Sequence, residues 1–185
     1  MPFHIIFASW LAFLLYWIAN ARRVKTPAIT QSFRSRLAHR LPVSIGIVLL
    51  FVTSRRRDIP YLLPPTALTA WTGAALAVLG LAIAIWARRT IASNWSSDVE
   101  FKQDHTLVTH GPYAWVRHPI YTALLIMCLG TAIASGRLIS FLALPLILLG
   151  FWIKLRQEER LMRLHFPTEY PAYERRVKAL IPGIL

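Results

Sequence analysis

The chain has 185 residues, 56% of them hydrophobic, with a mean hydropathy of +0.48, which excludes an ordinary soluble domain of this size. Its 21 Lys and Arg against 8 Asp and Glu give a formal charge of +13. Such an excess suits nucleic acid or the anionic face of a membrane, and the apolar runs decide for the membrane, because a bilayer core needs roughly 20 apolar residues per helix.

Five hydrophobic segments follow in chain order: 3–20, about 39–54, 67–87, 119–134 and 138–153. The first, FHIIFASWLAFLLYWIA (3–19), has no basic stretch before it and ARRVK after it. That is the pattern of a first span with its N-terminus outside rather than of a cleaved signal. In the second, the apolar run LPVSIGIVLLFVT (41–53) is 13 residues long, with Pro42 read near the helix start. IPYLLPP (59–65) is a connection whose prolines block helix. The third segment carries the small residues Gly73, Ala74, Ala77, Gly80 and Ala84, a stripe suited to close helix packing. A tight turn at ASGR (134–137) joins the last two segments, and Pro145 predicts a kink in the fifth. Cys128, the one cysteine, reads as a core or lipid-facing residue.

Charge fixes the number of crossings. If all five segments span, 17 of the 21 Lys and Arg fall on one side and four on the other; if the second does not span, the split is 10 against 11. The positive-inside rule selects the first arrangement, with the N-terminus outside and the C-terminus cytoplasmic. The expected architecture is an all-α integral membrane protein of five transmembrane helices in a single membrane domain, 1–185. Residues 1–88 supply three spans, and 89–185 supply a loop, a helical hairpin and a C-terminal helical tail.

The polar stretches carry the chemistry. NWSSDVEFKQDHTLVTHGPYAWVRHPIY (94–121) interrupts two apolar runs, and His118-Pro119 stands where the fourth helix begins. A helix N-terminus there suits an anion, and Tyr113, Trp115 and Tyr121 suit the walls of a pocket for a flat heterocycle. The same loop also reads as an interfacial one, with aromatics at headgroup level and basic residues on lipid phosphates. In the tail, KLRQEERLMRLHFPTEYPAYERRVKAL (154–180), Glu159 and Arg163 form an i,i+4 pair, whereas Glu158 faces Met162 at i+4. Tyr170, Tyr173 and Arg176 recur every three residues, as a packing seam or a pocket edge. The basic residues are too dispersed along membrane connections for nucleic acid. The histidines at 105, 110 and 118 lack metal-ligand spacing.

Two blocks, HTLVTHGPYAWVRHPIY (105–121) and EERLMRLHFPTEYPAYERRV (158–177), resemble the isoprenylcysteine carboxyl methyltransferase family over about residues 94–182. The resemblance implies an integral-membrane methyltransferase using S-adenosylmethionine, its cofactor pocket formed at the cytoplasmic face by the loop before span four and the tail. It implies that His105, Thr106, Leu107 and Val108 line the cofactor, that Tyr113, His118, Pro119, Ile120 and Tyr121 complete the pocket, and that Glu158 holds a polar group of the cofactor. Lys154, where relatives carry arginine, and Arg176 would anchor the acceptor, a prenylcysteine-like or other lipophilic carboxylate entering from the bilayer. Ala123 stands where a glycine is common. Membrane lipids are the other expected partner; neither nucleic acid nor metal is expected. The competing readings are a phospholipid or other amine N-methyltransferase, a nicotinamide-dependent membrane reductase, and a scaffold whose basic loops bind anionic lipid.

Overall fold

A computed structural model describes residues 1–21, 32–51, 59–92 and 106–184. Six α-helices appear among them: α1 (Pro2–Ala21), α2 (Phe33–Phe51), α3 (Ala67–Ile91), α4 (Pro119–Ser135), α5 (Leu138–His165) and α6 (Glu169–Arg176). A 3-10 turn, Gly111–Ala114, precedes α4. The only β contacts among the described residues are two isolated bridges, Tyr61 to Arg137 and Val116 to Lys178.

Small residues decide how the helices meet. A Cβ on Gly73 of α3 would stand 2.3 Å from the Gly130 carbonyl oxygen of α4, and one on Gly130 would stand 2.5 Å from that of Gly73. The two backbones touch because neither helix carries a side chain at the crossing. The stripe continues through Ala74, Ala77, Gly80 and Ala84, all buried. Ala123 sits in this same seam with no exposed surface, and a Cβ on Gly80 opposite would stand 2.6 Å from its carbonyl oxygen. Helices α2 and α5 pair by the same device at Gly46 and Gly150. Helix α1 lies against α3 and reaches α4 through a hydrogen bond of 3.1 Å from Trp10 Nε1 to Thr131 Oγ1.

Three helices, Pro2–Asn20, Ala67–Ile91 and Leu138–His165, are long and apolar enough to cross a bilayer, while Pro119–Ser135 is apolar but shorter. Two boundaries differ from the sequence expectation. Helix α2 begins at Phe33, so Pro42 lies inside it and not near its start. The basic stretch Arg34–Arg40 is helical too, so the apolar run marks only the second half of α2. Helix α5 continues without a break to His165, past the apolar part that ends near residue 153. At 1.5 Å per residue its 28 residues reach about 42 Å, so Lys154, Glu158 and Glu159 ride on a rigid extension of the apolar helix. The expected block at 59–65 is present as non-helical chain, and Pro145 lies inside α5. The hairpin between α4 and α5 turns on Gly136 at φ +67°, a left-handed conformation that favours glycine.

Candidate active site

The polar extension of α5, the N-terminus of α4 and the tail meet at one end of the hairpin. The tail is held by its backbone first. Val116 and Lys178 pair in parallel, Arg117 N donates to the Lys178 carbonyl at 2.8 Å, and His118 N donates to the Ala179 carbonyl at 3.0 Å. Thr122 Oγ1 donates to the Leu180 carbonyl at 2.8 Å. Ala179 and Leu180 are buried against Leu155 of α5. The tail thus lies over the start of α4 as an extra, irregular strand.

A buried guanidinium locks this arrangement. Arg117 Nε and Nη2 donate to Glu159 Oε1 at 3.0 and 2.6 Å, and Nη1 donates to the carbonyls of Val177 at 2.5 Å and Glu174 at 3.3 Å. The two side chains are 9% and 1% exposed. Burial works against the Arg117 charge, but the bonds and charge of Glu159 more than offset it, so its pKa stands above its ordinary value. Arg163 extends the network, donating to Glu174 at 3.0 and 2.5 Å and lying 3.4 Å from Glu159. On the other side, Tyr173 donates its hydroxyl hydrogen to the Tyr113 carbonyl, pinning the 3-10 turn to α6. Burial, first of all, pushes the Tyr113, Tyr170 and Tyr173 phenols well above their ordinary range, so each remains a neutral donor.

Beside this lock lies a second carboxylate with a different environment. Glu158 Oε1 accepts a hydrogen bond of 2.6 Å from the Tyr121 hydroxyl. Its Oε2 is 3.6 Å from His118 Nδ1, and Oε1 is 3.9 Å from Lys154 Nζ. The Glu158 side chain is 25% exposed against 1% for Glu159, so one carboxylate serves the fold and the other is available to a ligand. His118 Nε2 lies 3.3 Å from Glu159, and the ring spans the two acids. The His118 and Tyr121 rings stack with centroids 5.5 Å apart at 19°, and Phe151 continues the stack beyond Tyr121 at 5.1 Å. Lys154 Nζ lies 5.6 Å from the Tyr121 ring centre.

Of the residues expected from sequence, Tyr113, His118, Pro119, Tyr121, Lys154 and Glu158 are brought to this end of the hairpin. Pro119 is buried as the first residue of α4, and Ile120 follows it, half-buried. Leu107 and Val108 are half-buried and Thr106 is exposed. His105 lies outside the described residues. Arg176 is not brought in: it is exposed on α6, its Nε donating to the Ala172 carbonyl at 3.4 Å. The spacing of three carries Tyr170 and Tyr173 inward, but a second step of 300° on α6 rotates Arg176 out to solvent. Trp115 is 69% exposed. Sequence reasoning missed Arg117 and Glu159. Both stood inside the motifs, but Glu159 was assigned to a surface pair with Arg163, which is the weaker of its contacts. Lys154, already named from the resemblance, stands four residues before Glu158 on one helical face.

A sequence profile described as phospholipid methyltransferase matches residues 68–169, more than half of the chain. The chain belongs to the phospholipid methyltransferase family. The protein-S-isoprenylcysteine O-methyltransferase of Tribolium castaneum is 34% identical over 118 residues, 60% of this chain and 41% of that protein. The human enzyme of the same name is 33% identical over 116 residues, and that of Schizosaccharomyces pombe 39% over 83 residues, covering 41% and 35% of those proteins. This chain thus spans less than half the length of these three relatives. Among solved structures, the eukaryotic intramembrane Ras methyltransferase, isoprenylcysteine carboxyl methyltransferase, is similar at a TM-score of 0.55 and 27% identity, over 85% of this chain and 55% of that one. The isoprenylcysteine carboxyl methyltransferase resemblance read from the two motif blocks is therefore upheld. With its apolar helices and this structural neighbour, the family member is a membrane protein.

Proposed function

We propose that the protein transfers a methyl group from S-adenosylmethionine to the carboxylate of a lipophilic, prenylcysteine-like acceptor. The observation that carries this reading is the pair of adjacent acids with divided roles: Glu159 sealed into the fold by Arg117, and Glu158 held by Tyr121 and His118 with an exposed edge. A partly exposed carboxylate beside stacked aromatic rings fits a ligand that carries an ammonium group and a flat heterocycle. Glu158 would hold the ammonium, and Tyr113, His118, Pro119, Ile120 and Tyr121, with Thr106, Leu107 and Val108 along the loop, would surround the rest.

When bound, S-adenosylmethionine supplies a sulfonium methyl whose transfer to a carboxylate oxygen breaks the S–C bond, leaves the electron pair on sulfur and moves no proton. The chain's own residues then have two tasks, alignment and the exclusion of water. The docked tail and the Arg117–Glu159 lock give the walls their rigidity. Lys154 holds an anionic acceptor by charge without accepting a proton from it. The names of the relatives support a carboxylate acceptor, and the reading extends to five spans with both the site and the C-terminus cytoplasmic. The acceptor's apolar tail enters from the bilayer.

The family description favours one rival, an amine acceptor on a phospholipid. An amine must first lose a proton, and His118 or Glu158 would take it. The deciding experiment supplies methyl-labelled S-adenosylmethionine to the protein in lipid nanodiscs with N-acetyl-S-farnesylcysteine or phosphatidylethanolamine. A base-labile label on the farnesylcysteine is the expected result. Label on the phosphatidylethanolamine, stable to base, selects the rival, and no transfer to either overturns both.

A further inference from the structure

One turn of the chain serves both the tail and the candidate donor site. Residues 117–122 end the loop and open α4. Four of them engage the tail, and three of these four also reach the paired acids. Arg117 gives its amide to the Lys178 carbonyl at 2.8 Å and its guanidinium to Glu159 and the Val177 carbonyl. His118 gives its amide to the Ala179 carbonyl at 3.0 Å, while its ring lies 3.6 Å from Glu158 and 3.3 Å from Glu159. Tyr121 bonds Glu158 through its hydroxyl at 2.6 Å and packs its ring against the buried cluster of Leu155, Ala179 and Leu180. Thr122 gives its hydroxyl hydrogen to the Leu180 carbonyl at 2.8 Å.

The His118 side chain does not cap α4, because it is turned to the acids. Its amide has no acceptor within the helix, and the tail carbonyl takes that place. The tail bond thereby fixes the direction from which the ring meets Glu158. Undocking the tail removes the acceptors of both amides, the carbonyls that hold the Arg117 guanidinium, and the packing behind the Tyr121 ring. Glu158 then keeps its charge but loses the fixed positions of His118 and Tyr121, the two groups that aim it. A ligand that needs Glu158 so aimed binds the docked state better, and by reciprocity it favours docking.

We infer that tail segment 177–180 positions the Glu158 face of the donor site through this turn, so that donor binding and tail docking stabilise each other. Thr122 is a positioning residue: its hydroxyl meets the Leu180 and His118 carbonyls rather than either acid. The inference rests on the methyl-donor reading above and names a regulation of that same site.

Hydrogen–deuterium exchange of the full chain in nanodiscs, with and without S-adenosylhomocysteine, tests it. The reporters are the Arg117 and His118 amides, whose acceptors lie in the tail. Amides around Gly130, in the α3–α4 seam, are the reference. Thr122→Val keeps the shape and removes one hydrogen bond. It is expected to speed the reporters about threefold to tenfold, the scale of that bond, with the reference unchanged. Thr122→Ser, which keeps the hydroxyl, exchanges like wild type. In wild type and in Thr122→Val alike, S-adenosylhomocysteine at about a hundred times its Kd is expected to slow the reporters by up to about a hundredfold. Reporters that Thr122→Val leaves unchanged overturn the inference, as does equal speeding of the reference, which marks a packing defect. S-adenosylhomocysteine that binds in calorimetry, is weakened in Glu158→Gln, and yet leaves the reporters unslowed overturns the inference while keeping the donor site. Wild type that binds no S-adenosylhomocysteine overturns the parent reading.

Discussion

Replacing Arg117 by Ala tests whether the tail is held by one buried ion pair. The guanidinium makes two bonds to Glu159 and two to the tail carbonyls of Val177 and Glu174. Its removal leaves the Glu159 carboxylate, 1% exposed, with only the partial compensation of His118 and Arg163. Stranding one member of a buried pair costs about 3–5 kcal/mol, which lowers the ratio of docked to undocked tail by roughly two to four orders of magnitude. Limited proteolysis should then cut within 166–184, where wild type is protected, and the melting temperature should fall. Arg163→Gln is the contrast. Its bonds to Glu174 are as short, but the side chains are 38% and 24% exposed, so the loss is under about 1 kcal/mol after solvent screening. The double replacement Arg117→Met with Glu159→Met removes both charges and should recover much of the lost stability. If Arg117→Ala melts like wild type and keeps its tail protected, the lock assigned to this pair does not exist.

Three other outcomes are expected. Glu158→Gln keeps the shape and removes the charge, so S-adenosylhomocysteine affinity should fall about tenfold or more in calorimetry while the melting temperature holds; Tyr121→Phe, which deletes a 2.6 Å bond to that carboxylate, should reproduce part of the loss. Gly130→Val places a side chain where a Cβ alone meets the Gly73 carbonyl at 2.5 Å; α3 and α4 must separate, and the yield of monodisperse protein in detergent should collapse. Tyr173→Phe leaves the Tyr113 carbonyl without its donor and should cost about 1–3 kcal/mol in thermal unfolding.

The helices were legible because long apolar runs and their small-residue stripe are local signals. Gly73 and Gly80 announced a close crossing, though not that Gly130 would be its partner. The boundaries of α2 and α5 were less legible, because hydropathy reports where a helix leaves apolar surroundings and not where its hydrogen bonding stops. At the site, His118, Tyr121 and Glu158 could be picked out through a motif. The division of labour between Glu158 and Glu159 could not, since it depends on Arg117, 42 residues away in sequence, turning toward the second acid. The exposure of Arg176 was hidden for a related reason: a three-residue repeat drifts around a helix, and one short helix cannot point all of its members inward.

The central claim is that Glu158 and the aromatic residues around it receive a methyl donor. Calorimetry of the detergent-purified protein with S-adenosylhomocysteine and, separately, with NADPH tests it most directly. Saturable binding of S-adenosylhomocysteine that is weakened in Glu158→Gln, with no heat from NADPH, is the predicted result. Binding of NADPH alone, or S-adenosylhomocysteine binding that is indifferent to Glu158, would contradict it.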